Sequence, residues 1–315
     1  MEVLLVSLLN GLVYGMLLFM LASGLTLIFS MMGVLNFAHA SVYMLGAYFA
    51  YDISRHVGFW PALVLAPVLC GAVGALIEMY GLRPVHKHGH IAELLFTFGI
   101  AFILEKGVQM IWGLLPMPYR IPAMLDFTLF TIYDTRVHTY RMFMLLVSFL
   151  MFGGIWLLLT RTRIGLVIQA SLTHPDMVGA LGHNVPRVFT MVFAGGSLLA
   201  GLAGVIGGNF LTTEPSMAFT MGPIVFVVVV FGGLGSLTGC LIASIFMGLV
   251  QTFAVVFDVS FAQLLAKVGI EVGSGGFLGE LAYITLPRIG ALLPYLLLVL
   301  ILLVKPRGLM GTRDT

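Results

Sequence analysis

Few residues in this chain could do chemistry, and most of them interrupt or border long apolar runs. Glu105 and Lys106 stand side by side inside one such run, Leu94 to Trp112. An ionisable pair is costly in hydrocarbon and is a functional candidate by default, with Glu105 able to act as a coupling acid or to line a solute path. Adjacent helical residues point about 100° apart, so the two do not simply neutralise each other, and pairing with other helices is the competing role. Asn36 and His39 fall near the end of the first apolar run. They could line a pathway; alternatively Asn36 caps the next helix and His39 bonds a neighbouring backbone group. His86, His88 and His90 alternate in a loop that also holds Lys87, with Glu93 the one acid nearby. Alternation could gather a metal if the segment were extended, and a solvated turn is the plainer reading.

Missing motifs narrow the chemistry. The sequence has no GxxxxGK[ST] to hold nucleotide phosphates, and no HExxH, GxSxG or paired intramembrane aspartates. The glycine-rich stretch Gly232-Gly233-Leu234-Gly235-Ser236, with Gly239 beyond it, is therefore a packing or gating element. No cofactor is expected on this chain, and any ATP must be hydrolysed by a partner. Cys70 and Cys240 lie in apolar runs and are expected to be packing residues, although a disulfide is not excluded by spacing.

The most informative polar stretch is the connection 160–186. Arg161 and Arg163 open it, Ile164, Leu166, Val167 and Ile168 form an apolar patch, and Ala170, Gly179, Ala180 and Gly182 keep its second half slim. It is too polar to span a bilayer. It suits a short helix that lies across the membrane surface and enters a groove on another protein.

Composition dictates what must position these residues. Of 315 residues, 60% are hydrophobic and 9% charged, and the mean hydropathy is +1.10, against about 25% charged in soluble domains. That surplus has to face lipid. The net charge of +2 is small and its basic residues sit in short loops, which argues against a nucleic-acid partner.

A bilayer core needs about 20 apolar residues per helix, and the expected fold is all-α: a polytopic transmembrane bundle of about eight spans forming one domain over 1–315. The candidate spans run from Val3 to Ser30, Phe37 to Ile53, Phe59 to Met79, Leu94 to Trp112, Met142 to Leu159, Val188 to Leu211, Met221 to Phe257 and Leu281 to Val304. The seventh is too long for one crossing, and its glycines split it into a short or re-entrant piece and a full helix. The first lacks a basic flank and a cleavage site, so it is read as a retained span. GxxxG spacing at Gly11 to Gly15, Gly204 to Gly208 and Gly235 to Gly239 favours close helix contact.

Basic flanks set the orientation. With the C-terminus cytoplasmic and the N-terminus periplasmic, Arg83, Lys87, Arg161, Arg163, Arg187, Lys305, Arg307 and Arg313 lie inside. Arg55, Arg120, Arg136, Arg141, Lys267 and Arg288 then lie outside. The outer loops 114–141 and 258–280 hold five of the 13 acids and could form a lid or docking surface, with folded helices in them. In the second, Phe261, Leu264, Leu265 and Val268 alternate with Gln263 and Lys267 as an amphipathic helix would.

In the link, Arg161, Arg163, Gly165, Ala170, Asp176, Ala180, Leu181, Gly182 and Asn184 form a pattern that resembles the permeases of branched-chain amino acid ABC importers, the LivH family. Four further segments are similar in order along the chain. They are Asn36-Phe37-Ala38-His39 with Tyr43-Met44, Leu82-Arg83-Pro84-Val85, Phe231 to Ser236, and Lys305-Pro306-Arg307-Gly308-Leu309-Met310-Gly311. Ala40 departs from the glycine usual in the family, and the Asp258 to Arg288 connection is unusually long.

The resemblance implies a multi-pass permease of the bacterial inner membrane, with two ATP-binding subunits that carry ATP and Mg, a second related permease and a periplasmic substrate-binding protein. It implies that Arg161, Arg163, Gly165, Ala170, Asp176, Ala180, Gly182 and Asn184 couple to the ATPase. The cargo it implies is a branched-chain or other amino acid, an amide such as urea, or an organic or aromatic carboxylate. Asn36, His39, Glu105, Gly232, Gly233 and Gly235 are the candidates for the path and its gate. An ion-coupled secondary carrier using Glu105 is the alternative, and a membrane-embedded enzyme built on His39 and the loop histidines is a further rival.

Overall fold

Long apolar runs become long helices because hydrocarbon offers the backbone no other hydrogen-bond partner. The computed structural model describes residues 2–132, 135–257, 260, 262–263, 283–290, 292–305 and 307–311. Its elements are α1 (Glu2–Met32), α2 (His39–Val57), α3 (Phe59–Ile77), α4 (His90–Trp112), β1 (Thr128–Ile132), β2 (Thr135–His138), α5 (Thr139–Arg161), α6 (Arg163–Thr173), α7 (Pro175–Ala180), α8 (Val185–Phe210), α9 (Met217–Gly232), α10 (Leu237–Val256), α11 (Leu286–Gly290) and α12 (Leu293–Val304). A π-helical turn, Glu78–Leu82, and two short turns continue α3 to His88.

Among the described residues, six helices are long and apolar enough to cross a membrane: α1, extended α3, α4, α5, α8 and α10. The α9 and α12 helices are apolar but shorter. The expected break after α9 is present, at Gly233 to Ser236. The last expected span is also divided, with Pro287 in α11 and Pro294 opening α12, as proline's missing N–H favours. The α2 helix is not among the six, because Ser41, Asp52, Ser54 and Arg55 dilute its apolar character.

Glycines let the helices approach backbone to backbone, where dispersion and not water exclusion holds them together. A Cβ on Gly248 of α10 would strike Gly11 and Gly15 of α1. One on Gly46 of α2 would strike Gly201 of α8, and one on Gly204 would strike the Tyr43 carbonyl. The third GxxxG pair is different: Gly235 lies in the turn, at φ +85, outside either helix. Cys70 and Cys240 are free and buried, packing within the bundle.

The two ends of the bundle differ. At one, the last turn of α1, the link 160–186, the head of α8 and the tail 307–311 come together, with Leu27 packed near Ile168 and Val192 and Leu309 N–H donating to Phe231 O. At the other, Arg141 donates to Asn10, and Trp112 Nε1 donates to Asp52 Oδ2 at 3.1 Å. There the loop 114–141 holds an antiparallel ribbon, Thr128 opposite His138 and Ile132 opposite Thr135, and, among the described residues, one 3-10 turn. The amphipathic pattern of Phe261, Leu264, Leu265, Lys267 and Val268 lies outside the described residues.

Candidate functional site

Where α2 and α9 begin, the bundle holds a partly open cavity of about 300 Å³. Residues 33–38 are not helical; they turn back from the end of α1 so that α2 starts inside the bundle. The level is fixed by two contacts: His39 Nε2 donates to Leu21 O at 3.0 Å, and Ser41 Oγ donates to Ala101 O, in the middle of α4, at 3.3 Å. Ala218, Phe219 and Gly222 of the first turns of α9 share the cavity wall. From this point α2 runs toward the ribbon end and α9 toward the link end. Irregular backbone at such depth is stable only where protein or a cavity satisfies it.

Phe37, Phe98, Phe226 and Leu298 make much of the wall apolar, while Asn36, His39 and Ser41 supply polar atoms. Asn36 Oδ1 accepts from Ala38 N at 3.0 Å, which fixes the amide so that Nδ2 is turned away. Nδ2 of Asn36 and Nδ1 of His39 have no hydrogen-bond partner among the described residues. Because Nε2 must carry the proton to reach the Leu21 carbonyl, Nδ1 of the neutral ring is an acceptor. Asn36 does not cap α2 as the alternative reading expected: the N-cap is Ala38 and has no side-chain cap bond, and Asn36 instead holds Ala38 N–H in the turn before the helix. His39 does bond backbone, and both residues line the cavity.

The remaining path candidates lie elsewhere. Glu105 is not in the cavity wall. Gln109 Nε2 donates to its Oε1 at 2.6 Å, and Lys106 Nζ lies 3.7 Å from the same oxygen. The pairing is thus within α4, because long side chains bend across the 100° between neighbours, and not with other helices as expected. Gly232 ends α9, Gly233 and Gly235 lie in the turn after it, and the tail is received here, Met310 N–H donating to Gly232 O at 3.0 Å.

The link folds into α6 and α7. Thr162 opens α6 by accepting from Gly165 N at 3.0 Å, and Asn184 caps α8 by accepting from Arg187 N at 3.1 Å. Gly165 is buried, and a Cβ there would strike the carbonyls of Leu158 and Leu159, so this glycine lets α6 fold back on α5. Arg161, Arg163, Ala170, Asp176, Ala180, Gly182 and Asn184 are exposed. Ile168 and Val178 turn inward, whereas Ile164, Leu166, Met177 and Leu181 are 60–79% exposed at the end of the bundle.

Comparison with known proteins decides the family. Residues 7–302 match the model of the branched-chain amino acid transport system permease component. The chain belongs to this permease family. The permease is 25% identical to the high-affinity branched-chain amino acid transport system permease protein BraD of Pseudomonas aeruginosa over 97% of its own length and 95% of that protein's. It is 25% identical to LivH of Escherichia coli over 96% and 94%. A probable LivH of Methanocaldococcus jannaschii is 30% identical over 77% and 78%. The permease is accordingly a multi-pass inner-membrane transport subunit and not an enzyme.

One cluster at the link end of the permease escaped the sequence reading, and a second was visible there only as a possible metal group. Glu78, buried in the π-helical turn, accepts from Arg83 Nε at 3.2 Å and Nη2 at 2.9 Å, and from Thr190 of α8 at 2.6 Å. Arg83 also donates to Pro186 O at 3.1 Å. This clamp ties the end of α3 to the head of α8, beside the link. An acid five residues before an arginine at the close of an apolar run was the available signal. The loop histidines are also engaged: His86 and His90, the latter at 3.1 Å, pair with buried Glu93, and no metal-holding group of three occurs among the described residues.

Proposed function

We propose that this chain is a membrane subunit of a bacterial ABC importer for a small solute, delivered by a periplasmic binding protein at the ribbon end and released at the link end. Two ATP-binding subunits, carrying ATP and Mg, dock on α6 and α7, and a second related permease completes the path. The C-terminus is cytoplasmic and the N-terminus periplasmic in this reading. The single supporting observation is the row of Ile164, Leu166 and Met177 on α6 and α7 with Leu181 just after α7, large apolar side chains 60–79% exposed at the end of the bundle. A protein groove would cover them. The names of the relatives, permeases of branched-chain amino acid transport systems, support the solute class.

Alternating access then requires two packings of one bundle, each favoured by a different ligand. The heads of α2 and α9 meet at one cavity and lead to opposite ends, so a change at either end reaches the same walls. Affinity purification from native membranes in mild detergent tests the assembly. Two nucleotide-binding proteins and a second permease are expected with the chain; solute transport by the purified chain alone in liposomes would refute the proposal.

A further inference from the structure

Resting on the reading of the chain as a solute permease, we propose that the head of α2 receives the carboxylate of the cargo, so that the permease selects small monocarboxylates with an apolar body over the corresponding amides. Asn36 is 4% exposed and lines the cavity; its oxygen is committed to Ala38 N–H, leaving Nδ2, a donor, without an acceptor among the described residues. The backbone N–H groups of Ala40 and Ser41, in the first turn of this 19-residue helix, also have none among them. These donors stand at the positive end of the helix dipole, the arrangement that holds carboxylates at the heads of interrupted transmembrane helices.

The rest of the cavity completes the selection. Phe37, Phe98, Phe226 and Leu298 offer an apolar body its surroundings, and no Asp, Glu, Lys or Arg is among the described lining residues. Among the described residues, the anion's complement is therefore this donor set. At about 300 Å³ the cavity is at the lower bound of ligand pockets. An amide of the same shape can offer its one carbonyl oxygen, but it turns its NH2 on the remaining donors and brings no net charge to the dipole, a mismatch that a polar site penalises by tenfold or more.

The test uses the full chain in detergent micelles and saturation-transfer NMR with 4-methylpentanoate and its isostere 4-methylpentanamide. The acid is expected to bind at least about tenfold more tightly than the amide, and leucine to compete with it. In Asn36→Ser the hydroxyl still accepts from Ala38 N–H but stops short of the cavity, and the acid should weaken about fivefold while the amide does not change. A smaller acid-to-amide preference, binding of neither probe, or unchanged acid affinity in the folded N36S chain would overturn the proposal. If N36S does not fold, the two probes on the native chain still decide. A chain that recovers its ATPase partners yet shows no preference for the acid loses this subsite and keeps its place as a permease.

Discussion

Arg83 and Glu78 see very different amounts of water: the guanidinium side chain is 41% exposed, the carboxylate side chain 1%. Removing the arginine strands a buried anion, whereas neutralising the acid leaves a cation that can turn to solvent. Arg83→Met is therefore expected to cost about 3 kcal/mol, and Glu78→Gln, which keeps hydrogen-bonding capacity, about 1 kcal/mol. Denaturation of the detergent-solubilised chain measures both, and equal or reversed costs would remove the clamp as a joint. Arg83 was visible in the sequence as part of a recognisable segment, but its meaning was not, since Thr190 is 107 positions away. Glu105 shows the opposite failure. Its place in an apolar run made it the coupling acid of the alternative reading, but its Oε1 accepts from Gln109 and faces Lys106 within α4. Glu105→Gln, which keeps an acceptor oxygen for Gln109 Nε2, should leave uptake by the assembled transporter within about twofold; abolished uptake with the ATPase dispensable would restore the secondary-carrier reading.

At the scale of elements, α6 and α7 carry the proposed contact with the motor. Ala170 is exposed on α6, so Ala170→Glu should leave the unfolding transition within about 0.5 kcal/mol of the parent while pull-down of the ATPase subunits fails. Retained association would end the case for the link as the docking element. Gly182, at φ +88, is a poorer place to test, since any side chain there adds backbone strain of its own. Gly233 makes that strain useful. At φ +103, with a would-be Cβ against the backbone of Gly311, Gly233→Ala should loosen the tail, and trypsin cleavage after Arg307 should accelerate about tenfold, the equivalent of about 1.4 kcal/mol. The break between α9 and α10 was legible because glycines cluster where hydrophobicity alone is continuous. The start of α2 inside the bundle was not: Asn36 and His39 look like an ordinary polar boundary, and only the bonds to Leu21 and Ala101 fix their depth. Nor was the ribbon, whose strands of five and four residues are too short to stand out from loop sequence.

For the whole molecule, composition alone specified a lipid-facing helix bundle, while basic residues near the spans gave only a narrow bias for its direction. The structure divides the same evidence differently. The link, the tail and the Arg83 clamp share one end, and the ribbon with Arg141 and Trp112 shares the other. A single accessibility experiment then orients every loop together. Arg136 on β2 and Met177 on α7 are both exposed, at opposite ends. In a background with Cys70 and Cys240 replaced, Arg136→Cys should react with a membrane-impermeant maleimide added to cells with a permeabilised outer membrane. Met177→Cys should react only after the inner membrane is opened, since the reagent must reach the cytoplasmic face. Labelling of Met177→Cys in intact inner membranes would invert the molecule, put α6 and α7 where no cytoplasmic ATPase can touch them, and leave the exposed Ile164, Leu166 and Leu181 without the partner proposed for them.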